Sequence, residues 1–207
     1  MIAGFNDTVT CLVMNEKNWR LLHNNLCKEQ KEYDRNAKKD RLFAIQDILN
    51  DLGIQFWLSN GTALGMIREG NFIQWDDDID LDLYAEEYVP AYNEILNRLI
   101  DNGFVVRTCI RGETSKMSVY KTDGENIKIA LGAVYLEGDY RKKLRRTYPK
   151  SFYENFIWYE YYGRKFKIPG PPEEYLAYIY KDWKTPLKTD YVQDSLLRNE
   201  IPRCGSK

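Results

Sequence analysis

Trp75-Asp76-Asp77-Asp78-Ile79-Asp80-Leu81-Asp82-Leu83-Tyr84 is the stretch on which the reading of this chain turns. Asp76, Asp78, Asp80 and Asp82 recur at every second residue with Ile79, Leu81 and Leu83 between them, the period of an extended strand with one acidic and one apolar face. Carboxylates two apart on a strand lie ~6–7 Å from one another. Ionised and dry, each such pair repels by roughly 2–3 kcal/mol at an effective dielectric of ~20. A hard divalent cation is the simplest compensation. A merely solvated acidic face does not account for the interleaved aliphatics or for Trp75. An EF-hand calcium loop, which Asp76, Asp78, Asp80 and Glu87 imitate in spacing, fails where Leu81 replaces the turn glycine.

Upstream, Leu42, Ile45, Ile48, Leu49 and Leu52 are spaced for a helix over 34–52 that Gly53 stops. A short strand over 54–59 then ends at the turn signal Asn60-Gly61-Thr62, and 63–69 supplies about two helical turns. The acidic strand runs from about 79 to 84, followed by a helix predicted over 86–102 and strands over 104–110, 117–121 and 127–136, with turns at Gly112 and Asp123-Gly124. The last third holds a hairpin, 157–162 with 164–168 around Gly163, and a short helix over 173–183 after Pro169-Gly170-Pro171-Pro172. The pattern is α/β, with a mixed α+β sheet. We expect an N-terminal extension over 1–33, one domain over 34–187 whose small C-terminal accessory lobe begins near 148, and a tail over 188–207.

The 207 residues, 43% hydrophobic, suffice for one well-buried domain. Thirty basic against 31 acidic residues argue against a general electrostatic grip on nucleic acid or anionic membrane. The basic run Arg141-Lys142-Lys143-Leu144-Arg145-Arg146 reads as a solvated helical face first and as a phosphate or lipid-headgroup site second. Cys11, Cys27, Cys109 and Cys204 form no C-x-x-C pair and read as free thiols of a reducing compartment. No stretch has the length of a transmembrane segment and no leader is evident, which points to a soluble cytoplasmic protein. His23 is the one histidine, far in sequence from the acids, so Ser-His or Cys-His catalysis has little to stand on.

Gly61-Thr62 closes a strand and opens a helix, leaving backbone N–H groups at a helix N-terminus where a phosphate can approach without a side chain in the way. Arg68 follows within the same unit. A phosphate cradle, a guanidinium and carboxylates that can hold Mg²⁺ are the components of phosphoryl or nucleotidyl transfer.

The run from Phe56 to Asp80, Phe-Trp-Leu-Ser-Asn-Gly-Thr-Ala-Leu-Gly-Met-Ile-Arg-Glu-Gly-Asn-Phe-Ile-Gln-Trp-Asp-Asp-Asp-Ile-Asp, closely resembles the signature of the LicD/fukutin family, part of the DNA polymerase β-like nucleotidyltransferase superfamily. Ile168-Pro169, Glu174-Tyr175-Leu176, Tyr180-Lys181-Asp182-Trp183 and Pro186 resemble its closing motif, so the likeness spans roughly 40–187. It implies a nucleotidyltransferase fold. It also implies transfer of a phospho-alcohol, of the phosphocholine or ribitol-phosphate type, from a CDP-activated donor to a glycan hydroxyl with Mg²⁺ or Mn²⁺. By that resemblance Asp78 and Asp80 are the metal-binding catalytic pair, Gly61 and Thr62 face the donor phosphate, and Arg68 is a phosphate or structural partner. Asp76 and Asp77 orient that pair or meet basic groups. Trp75, Tyr180 and Trp183 are read as core packing rather than donor stacking.

One position departs from the family pattern. Where a later strand usually reads Lys-Ile-Asp-hydrophobic, this chain has Lys128-Ile129-Ala130-Leu131, and alternation puts Ala130 on the face where the third carboxylate belongs. The expectation is an enzyme weakened or inactivated at Ala130; the alternatives are that Glu125, Glu137 or Asp139 supplies the acid instead, or that Ala130 is merely a small residue packed under a neighbouring helix. Two other readings stand beside it: a non-catalytic nucleotide-binding or scaffold member of the fold, and a plain NTP-dependent nucleotidyltransferase.

Overall fold

The computed structural model describes residues 33–187 apart from 112–113, 124, 126 and 144–145. Cys11, His23, Cys27 and Cys204, the extension before Tyr33, the tail from 188 and the two turn glycines Gly112 and Gly124 therefore lie outside the described residues. The acidic stretch forms β2, Asp78–Tyr84, and its aliphatic side is the centre of the core, with Ile79, Leu81 and Leu83 fully buried. Burial of those three side chains is worth roughly 5–9 kcal/mol, the same order as the repulsion along the acidic face.

Around β2 the sheet is mixed. β1, Phe56–Leu58, lies antiparallel on one side, and β5, Lys128–Glu137, lies parallel on the other. β4, Thr114–Tyr120, and β3, Val105–Arg111, continue antiparallel beyond it, giving the order β1-β2-β5-β4-β3. α1, Arg35–Asp51, is capped by the Asp34 carboxylate, which accepts from Asn36 N–H, and α2, Asn60–Glu69, packs against β2. A hairpin of β8, Ile157–Tyr161, and β9, Arg164–Ile168, rests on β1. Phe166 and Ile168 from it, with Tyr175 and Leu176 of the C-terminal helix, join the same buried cluster as Trp57 and Ile79. Trp75, Tyr180 and Trp183 pack half-buried against this cluster.

Two expectations fail on local grounds. The helix over 86–102 is instead α3, Ala85–Tyr88, and α4, Tyr92–Asp101, because Pro90 has no N–H to give to the carbonyl one turn back. The basic run is not helical: Tyr140–Lys143 forms β6 on the edge of β5, and Arg146–Pro149 forms β7 against it. The run has no apolar stripe to bury as a helix, whereas strand pairing satisfies its backbone. Its cations find acids at once, Arg141 with Glu86 at 2.6 Å and Lys142 with Glu137 at 3.4 Å. The C-terminal helix α5 covers Pro172–Tyr180, three residues short of its predicted end. Among the described residues no helix is long and apolar enough to cross a membrane.

Gly65 sets how closely α2 approaches the loop that leads into β2. A Cβ there would stand 2.6 Å from the Asn71 carbonyl oxygen and 3.0 Å from the Ile73 nitrogen, both backbone atoms that cannot swing away. Gly65→Ala is expected to destabilise the fold by about 1–3 kcal/mol in denaturant titration.

Candidate active site

Three segments bring the functional side chains together: the start of α2, the loop 71–77 and the first half of β2. Asp80 locks the first to the third through its backbone, since its N–H donates to Thr62 Oγ1 at 2.8 Å and its carbonyl accepts from Ser59 N–H at 3.1 Å. Ser59 is the N-cap of α2 but makes no side-chain capping bond, and its fully buried Oγ has no hydrogen-bond partner. An N-cap serine ordinarily accepts from the second or third helical N–H, here Gly61 or Thr62, so both are left uncapped by Ser59. Gly61 faces Asp76, and a Cβ on it would lie 2.6 Å from Asp76 Oδ2. Glycine is thus what lets that carboxylate stand against the helix entrance.

Asp76, Asp77 and Asp78 form a carboxylate group that could hold a metal ion, with ligand oxygens within 4.8 Å of one another. The sequence expectation paired Asp78 with Asp80; the structure adds Asp76 and Asp77 from the loop before the strand, while Asp80 follows two residues on. Asp82, the fourth acid of the ladder, is buried and held by Lys143 Nζ at 2.5 Å. The ladder therefore divides into an open end and a neutralised end.

Lysines from several elements converge on it. Lys128, the β5 partner of Asp78, forms an ion pair with the Asp78 carboxylate. Lys38 is fully buried on α1 and donates from Nζ to the Asp78 carbonyl at 3.2 Å, with the Phe72 ring centroid 5.2 Å away. Lys116 on β4 and Lys143 also act on Asp80 through their charges. Burial raises the Asp76 carboxyl well above the ordinary carboxylate range, with the Asp78 charge adding to it, and the same two causes raise Asp80. Burial opposes ionisation of Asp78 too, but the Lys128 ammonium outweighs it and holds that carboxyl below the ordinary range. Lys38 is pulled below its usual value by burial, against the attraction of the aspartates, Asp76 foremost.

Ala130 is the register partner of Asp80 on the neighbouring parallel strand and is 3% exposed, so a small apolar side chain lies directly beside the second acid. Two of the three suggested substitutes do not reach it. Glu137 pairs with Lys142 and Asp139 with Lys150 at 2.9 Å, both seven or more residues further on, roughly 23 Å along a strand. Glu125 stands before β5 and accepts Arg41 through its backbone carbonyl. Arg68 closes α2, eight residues or about 12 Å beyond Asn60. Its guanidinium donates to the Trp183 carbonyl at 3.3 Å and to Glu69 at 2.7 Å. Its partners are thus the C-terminal segment and its own helix rather than the acids.

Lys38 was missed in the sequence, although a signal existed. It continues the spacing of Leu42, Ile45 and Leu49 on α1, so it occupies the buried stripe of that helix, where a lysine needs anionic company.

A mixed sheet with an uncapped helix N-terminus set against a strand of aspartates defines a protein of the nucleotidyltransferase fold. The antibiotic-resistance factor ANT(2'')-Ia, in its solution structure, matches 80% of this chain and 84% of its own with a TM-score of 0.51. At 14% identity that likeness concerns the fold alone. The chain belongs to the LicD/FKTN/FKRP family, whose nucleotidyltransferase-domain profile matches residues 53–170. Human ribitol-5-phosphate transferase FKTN is 28% identical over 166 residues, 75% of this chain. Human ribitol 5-phosphate transferase FKRP is 42% identical over 40 residues, 19% of this chain and 8% of its own. The chain spans about a third of the length of FKTN, 35%.

Proposed function

We propose that this chain transfers a phospho-alcohol, of the ribitol-phosphate or phosphocholine type, from a CDP-activated donor to a glycan hydroxyl with Mg²⁺ or Mn²⁺. The observation that carries the reading is the uncapped start of α2 held against the β2 acids through Asp80, in a chain whose relatives are ribitol-phosphate transferases. The donor set fits a hard divalent cation: carboxylate oxygens only, those of Asp76, Asp77 and Asp78 within 4.8 Å of one another, with Asp76 against the Gly61 backbone at the helix entrance. Asp78 and Asp80 would hold the ion, with Asp76 within reach.

Such an ion, when bound, neutralises charge developing on the diphosphate. The chain's own part is positional. The Gly61 and Thr62 N–H groups bind donor phosphate oxygens at the positive end of α2. The Thr62 hydroxyl, engaged as acceptor by Asp80 N–H, keeps that helix end at a fixed height over β2. The acceptor hydroxyl attacks in line and CMP leaves. At Ala130 no carboxylate receives the hydroxyl proton, which passes to solvent instead, so turnover is slow.

The test is CMP release from CDP-ribitol and CDP-choline with Mn²⁺ and glycan acceptors. Release of pyrophosphate from an NTP instead would assign plain nucleotidyl transfer. The gap at Ala130 favours a second reading, a binding member of the fold without turnover. Donor and metal binding with no CMP release, even after Ala130→Asp, would select it.

Proton competition gives a further expectation. Without metal, Asp76 and Asp80 contribute stability that is complete below the ordinary carboxylate value and lost as pH rises through their raised values. Asp78, lowered, contributes above that value and loses its share only in more acid solution. A bound cation must displace the protons of the raised pair, so Mn²⁺ affinity by calorimetry is expected to fall from neutral pH to about pH 5. A flat profile contradicts this.

A further inference from the structure

Two-ion phosphoryl-transfer sites place their cations about 3.5–4 Å apart and need carboxylates to bridge and flank them. Here the face of β2 that carries the acids is already supplied with positive charge by the protein. Lys38 reaches it from α1, fully buried with Nζ 3.2 Å from the Asp78 carbonyl, and Lys128 reaches it from β5 on the Asp78 carboxylate. Lys143 reaches it from β6, 2.5 Å from Asp82, and Lys116 of β4 acts on both Asp78 and Asp80. Against these four ammonium groups stand five carboxylates, those of Asp76, Asp77, Asp78, Asp80 and Asp82. With all nine groups charged, one net negative charge remains. One divalent cation turns that into a single positive charge, suited to an arriving diphosphate, whereas two would leave three positive charges within a few ångströms. The position beside Asp80 from which a bridging carboxylate could come is Ala130.

We infer that this site takes a single divalent cation, and that Lys38 is the fixed charge that stands in place of a second. The inference rests on the metal-dependent reading above but concerns ion count rather than turnover. Lys38 is a charge-compensating residue: its ammonium lies under the acids, shielded by Phe72 and half-buried Tyr33, where it cannot be replaced by water.

The experiment is a Mn²⁺ titration of the full chain, read by loss of the free-ion signal in electron paramagnetic resonance, with no nucleotide present. One equivalent is expected for the wild type and for Lys38→Arg, and two for Lys38→Met, with the first bound at least roughly tenfold more tightly. Two equivalents in the wild type would overturn the inference while leaving metal dependence intact. No binding at all would overturn both. A single equivalent of unchanged affinity in folded Lys38→Met also overturns it. The wild-type count is decisive by itself, whether or not Lys38→Met folds.

Discussion

Ala130→Asp is expected to raise Mn²⁺-dependent CMP release by about 10²–10⁴-fold, the range over which a positioned acid or base acts. The geometry makes the prediction specific. Ala130 and Asp80 are register partners on adjacent parallel strands, so their side chains share a face at the ~4.8 Å spacing of neighbouring strands. A carboxylate there would lie where it can receive the acceptor proton or share the cation with Asp80. The same substitution has a cost that a merely structural role would not produce. Two dry carboxylates ~5 Å apart repel by roughly 3 kcal/mol at an effective dielectric of ~20, so metal-free Ala130→Asp should melt below the wild type. Saturating Mn²⁺ should recover most of that loss. Equal activity of the two chains would remove Ala130 from the account of catalysis.

Asp78→Asn is expected to destabilise the chain by about 3 kcal/mol and to abolish the thermal shift given by Mn²⁺. The first effect comes from removing the carboxylate that the Lys128 ammonium, only 12% exposed, pairs with. The second comes from loss of the carboxylate whose proton Lys128 holds off, below the ordinary range. The double variant Asp78→Asn with Lys128→Met separates the two. Chemical denaturation should show most of the stability restored, since both members of the buried pair are then gone, while the Mn²⁺ shift stays absent. If the double variant regains the shift, Asp78 is not a ligand.

The residues whose behaviour depended on their own neighbours in sequence were legible. Alternation placed Ile79, Leu81 and Leu83 in the core and put Ala130 on the same side as Lys128, and Asn60-Gly61-Thr62 marked the entrance of α2. Pro90 was legible too, yet the apolar spacing on either side of it made one helix of two. The basic run from Arg141 misled for another reason: its strand form depends on β5 offering an edge to pair with, which no local pattern announces.

What the sequence by itself determined is the acidic strand, the bare helix start before it and the membership these imply, because strand period, turn chemistry and glycine are properties of short segments. What only the tertiary structure decided is how the charges are shared. Asp82 pairs with Lys143 from 61 residues away, Lys38 enters from 40 residues upstream, and Arg68 turns to Trp183 rather than to the acids. A buried charge takes whichever partner the packing brings within reach, and Coulomb energy depends on that distance rather than on separation along the chain.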